Sequence, residues 1–468
     1  MRILVFHSYL LRGTGSNIYN ANLVRALAAQ GHEVHLFCQD PGWQPPDGVT
    51  VHIPDIGRVL PVYVADTYDG FEAKTYPELT GEELDHYLEA NVEAVRAAPT
   101  PDLALANHLV MGPVILARAD VAPYAVKIHG SALEYTVKPN PERFIPYALE
   151  GIRPAKGILV GSDHTARSLF AALSDEPSLP GRTRLGPPGV DIHEFRPREP
   201  DLETLAARPA ASWGGEQGSP EVLRELDLSK DRLVSYVGKL IVSKGVDLLL
   251  AAWPLVVSRV PGARLVVVGF GTYHDALLRF VEALGSRDVE ALREIAARGR
   301  ELEGGPAGEL RHLNAFLDTV DDDWLHAGPE AAGRIHFTGM LEHDDLPLLL
   351  PACEAQVMPS TFPESFGMVA AEAAACGALP LSASHSGMAE VTATLRPALP
   401  EHLRPLMSFD VGPGAVREIG SKLVTWMELD PAERDEARAA LASEAARRYS
   451  WESVAKGVIE AASGQSYG

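Results

Sequence analysis

The sequence predicts an α/β protein made of two doubly wound domains, each with a parallel sheet. Short apolar runs alternate with amphipathic segments of helical period along most of the 468 residues. The alternation forms two separate series, divided by residues 174–230, which are rich in Pro, Gly and acidic side chains. Because a strand followed by a helix is the repeating unit of a parallel sheet, we predict one Rossmann-like domain over 1–198 and a second over 199–446.

The first series begins at the N-terminus with the apolar run RILVF, 2–6. After a glycine-bearing turn, Leu23, Val24 and Leu27 fall on one helical face, and Gly31 stands where a helix ends. The next strand is HEVHLFC, which completes a βαβ unit. Later strands of this series are predicted at 102–107, 124–129 and 157–162, and the last of them leads into a helix around 165–173.

The second series supplies five further strands, predicted at 233–240, 264–271, 334–340, 355–360 and 378–384. Residues 274–332 interrupt it. This segment carries the helical pattern VEALREIAARGREL, which predicts an inserted helical hairpin, and we also expect it to be the surface through which copies of the chain would associate. Residues 431–462 alternate charged and apolar side chains and predict two or more helices.

Composition and charge exclude several classes of function. The chain is 46% hydrophobic and 22% charged, as in an ordinary globular protein, and its formal net charge is −22. Such a field repels phosphate backbones and anionic lipid, so we predict no nucleic-acid partner. Cys38, Cys353 and Cys376 are too few and too scattered for a disulfide framework or a zinc site, which predicts buried thiols. No run reaches the length of a membrane span and no signal peptide is recognisable, so the expected location is cytoplasmic.

The most informative string is PSTFPESFGMVAAEAAACG, residues 359–377. It predicts a strand that ends in a loop and a helix that opens near Ser365 and stops at Gly377. Glu364 and Glu372 would be separated by about 12 Å along the helix axis. That separation suits one carboxylate beside a sugar ring and the other beside the ribose of the same nucleotide sugar. The alternative is a buried, alanine-rich helix with two solvated glutamates.

The start of this helix is suited to a phosphate ligand. The backbone amides of Phe366, Gly367 and Met368 lie at the positive end of the helix dipole and can bind a diphosphate, and Ser365 stands directly before them. Gly367 has no side chain to block the approach.

A second string, VGKLIVSKG at 237–245, places Lys239 and Lys244 around a strand-to-helix turn. The leaving group of a sugar transfer is a nucleoside diphosphate, and its developing charge needs fixed cations. Two lysines in a loop are often only solvated charges, but together with the two glutamates of the same domain they favour a leaving-group site.

With these motifs the chain resembles glycosyltransferase family 4, the retaining enzymes with the GT-B fold, over nearly its whole length. The strings that carry the resemblance stand in the family's order: GTGSNIYNANLVRALAAQGHEV, KIHGS, PPGVDIHEF, VGKLIVSKG, HFTGML and PESFGMVAAEAAACG.

The resemblance implies two Rossmann-like domains facing each other across a cleft, with a last helix at about 447–468 that crosses back onto the first domain. It implies that Glu372 binds the ribose, that Glu364 lies beside the donor sugar, and that Lys239 and Lys244 hold the diphosphate. On the N-terminal side, Gly15 would let backbone approach the phosphates, and His129 of KIHGS would face the donor sugar. The implied chemistry is retention by front-face attack, in which the leaving phosphate takes the acceptor's proton; a covalent intermediate on Glu364 is the alternative.

Three features depart from the family's usual pattern. Lys239 stands where arginine is common, so its contact with a diphosphate would be a point charge. Thr14 separates Gly13 from Gly15, where many members have adjacent glycines. The loop SHSGMAEV, 384–391, differs from the commoner double-glycine form.

Other signals have ordinary structural explanations. Asp321 and the two aspartates after it predict a helix N-cap, so we expect no metal and no other cofactor. Gly269 and Gly271 form half of a dinucleotide fingerprint, which a tight turn explains equally well. His108 and His164 are expected to be satisfied structural histidines.

The sequence predicts a glycosyltransferase that moves a hexosyl group from a nucleotide-diphosphate sugar, with a UDP-sugar favoured over GDP- or ADP-sugars. The acceptor stays open between a small molecule, a glycan and a lipid, with the charge favouring the soluble ones. Two alternatives remain: an epimerase or hydrolase of the same fold, and a non-catalytic nucleotide-sugar sensor.

Overall fold

Two parallel sheets organise the chain in the computed structural model, which describes residues 1–12, 15–64, 70–209, 217–364 and 366–464. The chain divides into two units, one formed by 1–191 with 449–468 and the other by 192–448. The first boundary therefore lies a few residues before the predicted one at 198, and the chain returns to the first unit close to the predicted position 447.

The N-terminal unit is built on a seven-stranded sheet of order β3-β2-β1-β6-β7-β8-β9, with every neighbouring pair parallel. Strands β4 and β5 form a separate parallel pair. The strands are β1 (Arg2–Phe6), β2 (Glu33–Phe37), β3 (Val49–His52), β4 (Val59–Val62), β5 (Glu72–Thr75), β6 (Leu103–Asn107), β7 (Tyr124–Ile128), β8 (Gly157–Val160) and β9 (Thr183–Leu185). The helices are α1 (Gly15–Ala29), α2 (Gly81–Ala97), α3 (Gly112–Arg118), α4 (Pro141–Ile152), α5 (Asp163–Ala172) and α6 (Leu179–Arg182).

Helix α1 shows why the predicted first unit forms. Leu23, Val24 and Leu27 are fully buried on its inner face, and they pack against the apolar residues of β1 and β2. Gly31 takes a φ of +80° just after the helix, a conformation that glycine adopts without steric cost. The predicted βαβ unit is confirmed.

The second unit is built on a six-stranded parallel sheet of order β12-β11-β10-β13-β14-β15. The strands are β10 (Arg232–Val237), β11 (Ala263–Val268), β12 (Ile335–Gly339), β13 (Cys353–Met358), β14 (Leu379–Ala383) and β15 (Ser408–Phe409). The helices are α7 (Leu202–Ala206), α8 (Val246–Val257), α9 (His274–Ser286), α10 (Val289–Arg298), α11 (Arg311–Leu317), α12 (Asp322–Ala332), α13 (Leu346–Leu349), α14 (Met368–Ala375), α15 (Ser386–Leu395), α16 (Ala415–Met427) and α17 (Pro431–Arg448).

The order of this sheet has a functional consequence. The chain runs from β10 outward through β11 to β12, and then returns to the other side of β10 and continues outward through β13 to β15. The connections therefore diverge between β10 and β13. In open α/β sheets, ligands bind in the crevice beyond the carboxyl ends of the two strands at such a switch point.

The last helix, α18 (Trp451–Ser463), belongs to the N-terminal unit. Trp451, Ala455 and Val458 are buried in the same apolar cluster as α1 and β1. The Trp451 ring lies edge-on to Tyr19 of α1, with centroids 5.5 Å apart. Gly157 of β8 has no room for a side chain, because an added Cβ would lie 2.6 Å from the Ala461 carbonyl oxygen of α18.

The predicted insertion is helical, but it is not the hairpin that we expected. Residues 274–332 form the four helices α9 to α12 and a short 3₁₀ helix, Arg300–Glu303. Asp321 caps α12 by accepting the Trp324 N–H at 2.9 Å, so the predicted N-cap is confirmed. The Trp324 indole in turn donates to the Ala251 carbonyl of α8 at 2.9 Å, which fastens the insertion to the sheet's own helix.

Candidate active site

The loop after β10 supplies the predicted lysines at the switch point. It contains a 3₁₀ turn, Val242–Lys244, and Gly245 with a φ of +64°, from which α8 starts. Gly245 is required here, because an added Cβ would lie 2.1 Å from the carbonyl oxygen of Pro359 in the loop after β13. The two loops are therefore in close backbone contact.

Glu364 and Lys244 meet where these loops touch. The Lys244 ammonium forms an ion pair with Glu364 Oε1, and the Ser360 hydroxyl donates to the same carboxylate oxygen at 2.6 Å. The alternative of a solvated glutamate is therefore wrong for Glu364. The Glu364 carboxylate therefore fixes the position of the Lys244 ammonium, and the Ser360 hydroxyl fixes the carboxylate.

The backbone of Glu364 is fixed from the first residues of α15. Its N–H donates to the Ser386 hydroxyl at 2.9 Å, and its carbonyl accepts the Gly387 N–H at 2.9 Å. Ser386 has a φ of +55°, a left-handed conformation that favours glycine. The Ser386 hydroxyl therefore holds the backbone of Glu364 from a position whose own conformation favours glycine.

Helix α14 begins later than predicted. It runs over Met368–Ala375 with Gly367 as its N-cap, so Glu364 lies in the loop before the helix and the separation along a helix axis does not apply. The first N–H groups of the helix have no acceptors within it, as in any α-helix. An added Cβ on Gly367 would meet nothing closer than 3.5 Å, so the fold itself does not require glycine there. Phe366 precedes the helix, and Ser365 lies outside the described residues.

Glu372 is the buried carboxylate of α14. It is 2% exposed, and its Oε1 lies 2.9 Å from His343 Nε2, which donates to it. His343 belongs to the 3₁₀ turn His343–Asp345 after β12, and its ring lies against Phe195, with centroids 5.0 Å apart. A solvated role for Glu372 is excluded by its burial.

Lys239 lies on the same loop as Lys244 but in a different environment. Its ammonium lies 5.9 Å from the centroid of the Phe270 ring. Phe270 stands between Gly269 and Gly271, whose added Cβ atoms would lie 1.9 Å and 2.3 Å from carbonyl oxygens of the Lys239 loop. Close packing of the backbone therefore explains these two glycines, which the sequence left open between a tight turn and half of a dinucleotide fingerprint.

In the N-terminal unit, His129 follows β7 and joins a buried hydrogen-bond chain. Its Nε2 lies 2.8 Å from Asn107 Oδ1. Both amide protons of Asn107 are used, by the Phe6 carbonyl at 3.0 Å and by Asn20 Oδ1 at 2.7 Å. Asn107 can therefore only accept from His129, which assigns the proton to Nε2 and leaves Nδ1 as an acceptor.

The chain continues through Asn20 to His7. Asn20 donates to His7 Nδ1 at 2.9 Å, and His7 Nε2 donates to Asn17 Oδ1 at 2.9 Å. Burial lowers the pKa of His7 to about 4, and burial together with the adjacent titratable side chains of His108 and Lys127 holds the pKa of His129 well below its ordinary value. His7 is neutral, because its Nδ1 accepts a hydrogen bond and its Nε2 carries the proton. The lowered pKa favours the neutral form of His129 as well.

His108 corrects our expectation. It is 1% exposed and its pKa is held far below the ordinary value by burial, but neither ring nitrogen has a hydrogen-bond partner among the described residues. It is therefore not a satisfied structural histidine. Its ring lies between Tyr63, with centroids 4.4 Å apart, and His129, with centroids 4.8 Å apart. His164 is the second residue of α5.

The remaining predicted positions are less informative. Gly15 is the exposed first residue of α1, and the neighbouring Gly13 and Thr14 lie outside the described residues. The three cysteines are buried free thiols, as predicted. Across the described ranges, no group of three or more metal-ligating side chains is gathered, and no helix is long and apolar enough to cross a membrane.

Several residues that contact the predicted ones were not named from the sequence. They are His343, Ser360 and Ser386 in the second unit and Asn107 in the N-terminal unit. Each contact joins segments distant in the chain or residues without a motif, such as His343 and Glu372, which lie 29 positions apart. Only the departure of SHSGMAEV from the double-glycine form pointed to one of them, Ser386.

Two protein-family models match this chain. A model described as Glycosyltransferase Family 4 matches residues 13–194, and a model described as Glycosyl transferases group 1 matches residues 329–395. The second match contains Glu364, Glu372 and the helix between β13 and β14. Together the two matches cover more than half of the chain.

Relatives and solved structures agree. The chain is 23% identical to a D-inositol 3-phosphate glycosyltransferase of Jonesia denitrificans, over 83% of this chain and 80% of that protein. It is 25% identical to the protein of the same description from Salinispora tropica, over 80% of this chain and 67% of that protein. Sucrose-phosphate synthase from Thermosynechococcus elongatus shares its fold with a TM-score of 0.64 at 19% identity, with 98% of this chain and 97% of that chain covered. Anabaena HepE, solved in complex with UDP and glucose, does so with a TM-score of 0.60 at 16% identity, with 99% of each chain covered.

Two parallel-sheet units with these neighbours define the GT-B fold, and the protein is a glycosyltransferase. Within that class, the chain belongs to glycosyltransferase family 4.

Proposed function

We propose that the chain transfers a hexosyl group from a nucleotide-diphosphate sugar to a hydroxyl group, with retention of anomeric configuration. The observation that carries the proposal is the meeting of Lys244, Glu364 and the start of α14 beyond the carboxyl ends of β10 and β13. A cation and the N–H groups at the start of a helix suit the diphosphate of such a donor, and a carboxylate suits the hydroxyls of its sugar.

Glu372 would bind the ribose. A carboxylate oxygen has two lone pairs, so Glu372 can keep the His343 hydrogen bond at 2.9 Å and still accept from the ribose hydroxyls. The His343 contact fixes the direction of the carboxylate before the donor arrives, which lowers the entropy lost on binding.

Lys244 and Lys239 would stabilise the leaving diphosphate. The developing negative charge would draw the Lys244 ammonium, with the amides of α14 as further donors. No metal takes part in this proposal, because the two lysines supply the positive charge.

The environment of Glu364 supports front-face attack. The acceptor oxygen would bond to the anomeric carbon on the face that the diphosphate leaves, and the departing phosphate oxygen would take the acceptor's proton. A covalent intermediate needs Glu364 as a free nucleophile, whereas its Oε1 is engaged by Lys244 and by the Ser360 hydroxyl at 2.6 Å. Glu364 is better placed to orient Lys244 and a sugar hydroxyl.

In the N-terminal unit, His129 would present Nδ1 as a hydrogen-bond acceptor to a hydroxyl of the donor sugar. For the acceptor we propose a small polyol or its phosphate, since the relatives named above are described as D-inositol 3-phosphate glycosyltransferases. For the donor we propose a UDP-sugar first, since HepE was solved with UDP-glucose.

The test is product analysis with purified protein. UDP-glucose, UDP-N-acetylglucosamine, GDP-mannose and ADP-glucose are each incubated with inositol phosphates and hexose phosphates in the presence of EDTA. We expect nucleoside diphosphate release that depends on the acceptor, and a product whose anomeric proton shows the donor's configuration by NMR. Inversion would contradict the front-face mechanism. Release of diphosphate with free sugar, independent of every acceptor, would identify a hydrolase instead.

A further inference from the structure

The helical insertion touches the Lys244 loop through one carboxylate. Glu303, the last residue of the 3₁₀ helix Arg300–Glu303, accepts the Val242 N–H on its Oε2 at 2.7 Å. Val242 is the first residue of the turn that ends at Lys244. The Glu303 side chain is 9% exposed, so this hydrogen bond is largely shielded from water.

The insertion fixes the direction of that carboxylate. Arg300 Nε donates to Glu303 Oε1 at 3.1 Å. The segment is closed on itself, because the Gly305 N–H donates to the Arg300 carbonyl at 2.9 Å and Gly299 pairs with Gly308 in a parallel bridge. Glu303 is therefore presented to Val242 by a short, hydrogen-bonded turn.

The other side of the Lys244 loop is held by the loop after β13. The Thr361 N–H donates to the Ser243 carbonyl at 2.9 Å, and Lys244 pairs with Glu364. Beside Val242, a cavity of about 240 Å³ separates the loop from the insertion, lined by Val242 and Thr361 on one side and by Leu310 and His312 on the other. This space is not packed, and the hydrogen bond from Val242 to Glu303 joins the turn to the insertion across it.

We propose that Glu303 is a positioning residue and that the insertion braces the diphosphate-binding loop. This inference rests on the proposed role of Lys244 in binding the donor's diphosphate. Without Glu303, the Val242 N–H loses its acceptor and the turn that carries Lys244 loses its fixed position. Loss of Glu303 should therefore weaken the contacts of Lys244 with the diphosphate. The ribose contact should not change, because Glu372 lies on a different element, helix α14.

The prediction distinguishes bracing from a general structural role. In Glu303→Ala, binding of the nucleoside diphosphate should weaken by at least about fivefold, since a shielded N–H without its acceptor costs on the order of 1 kcal/mol or more. Binding of the matching monophosphate should stay within about twofold of the wild type. Glu303→Gln should retain most of the diphosphate affinity, because the amide oxygen can still accept from Val242.

The experiment is calorimetric titration of the full chain with UDP and UMP, followed by GDP with GMP and ADP with AMP until the wild type binds one pair. Glu301→Ala is the matched control, since Glu301 lies in the same 3₁₀ helix and pairs with Arg298 at the surface. Should the alanine variant not fold, Glu303→Gln and Glu303→Met are compared in its place.

Three results would overturn the inference. Unchanged diphosphate affinity in Glu303→Ala excludes a brace, and an equal loss of diphosphate and monophosphate affinity indicates a general structural role. A wild type that binds no nucleoside diphosphate removes the proposed function itself, a result distinct from the other two.

Discussion

Ser386 offers a test in which strain and hydrogen bonding can be separated. Its φ of +55° costs an L-residue about 1–2 kcal/mol. Its hydroxyl accepts the Glu364 N–H at 2.9 Å, a bond worth about 0.5–1.5 kcal/mol. The two terms are of similar size, so the serine is close to neutral for stability while it fixes the backbone of Glu364.

Two substitutions at Ser386 separate the energy of backbone strain from the energy of the hydrogen bond. Ser386→Ala removes the hydrogen bond and keeps the strain, so the free energy of unfolding should fall by about 1 kcal/mol. Ser386→Gly removes the bond and also relieves the strain, at a cost of about 0.5–1 kcal/mol in the entropy of the unfolded chain. The glycine variant should therefore be close to wild type in stability, and about 1 kcal/mol more stable than the alanine variant.

The assay is urea unfolding followed by tryptophan fluorescence, together with the rate of nucleoside diphosphate release. Both variants should lose turnover, because both remove one of the two hydrogen bonds that hold the Glu364 backbone, although only the alanine variant loses stability. A glycine variant as unstable as the alanine variant would refute the assignment of strain. Full turnover in both variants would refute the role of the hydrogen bond.

Three further predictions concern the same unit. Burial raises the pKa of Asp247 to about 7 from an ordinary 3.8, so the folded chain binds this proton more tightly than the unfolded chain and stability falls as pH rises from about 4 to about 7. Asp247→Asn should therefore be more stable than wild type by up to about 4 kcal/mol at pH 8, but not at pH 4. Urea unfolding at the two pH values measures this difference, and an equal gain in stability at both would contradict the raised pKa. His343→Ala should weaken the binding of nucleoside diphosphate, as measured by calorimetry. His343→Gln should largely preserve this binding, because the glutamine amide can still donate to Glu372. If both variants bind as tightly as wild type, His343 does not orient the Glu372 carboxylate. Gly245→Ala should lower the free energy of unfolding in urea by more than about 1 kcal/mol. The added Cβ would lie 2.1 Å from the Pro359 carbonyl oxygen, at a φ of +64°. An unchanged urea midpoint would contradict the close contact of the two loops.

Much of the fold was predictable because parallel strands are buried on both faces and therefore appear as continuous apolar runs. The runs RILVF, LALAN and GILV correspond to β1, β6 and β8, every residue of which is buried apart from Arg2. Strands β3 and β9 were missed for the converse reason. Both lie at sheet edges and are half-buried or exposed, so VTVH and TRL carry no apolar run.

The details of the candidate site were less predictable. The string 359–377 indicated Glu364, Glu372 and a helix, but Gly367 shortens that helix by acting as its N-cap outside helical φ and ψ. The partners of these carboxylates depend on which loops the sheet order brings together. Hence Lys244 could be grouped with Glu364 from chemistry alone, whereas the contacts of His343 with Glu372 and of Ser386 with Glu364 emerge only from the three-dimensional structure.

The structure of the insertion 274–332 was also only partly predictable from the sequence. Its helical period was visible, but its division into four helices depends on local caps, such as Asp288, whose carboxylate accepts the Ala291 N–H at 3.0 Å. Its contact with the Lys244 loop through Glu303 has no signature in the sequence.

The central claim, that Lys244 and Glu372 hold a nucleoside diphosphate, is tested most directly by a thermal-shift screen of the full chain with UDP, GDP, ADP and their sugar conjugates in EDTA. A ligand at a hundredfold excess over its dissociation constant adds about 2.7 kcal/mol to stability. We expect a clear rise in melting temperature with one nucleotide family. The rise should be lost in Lys244→Ala and in Glu372→Gln, and kept in Lys230→Ala, a change at an exposed lysine that pairs with Asp227. The absence of any shift in the folded wild type, or a shift that survives both substitutions, would contradict it.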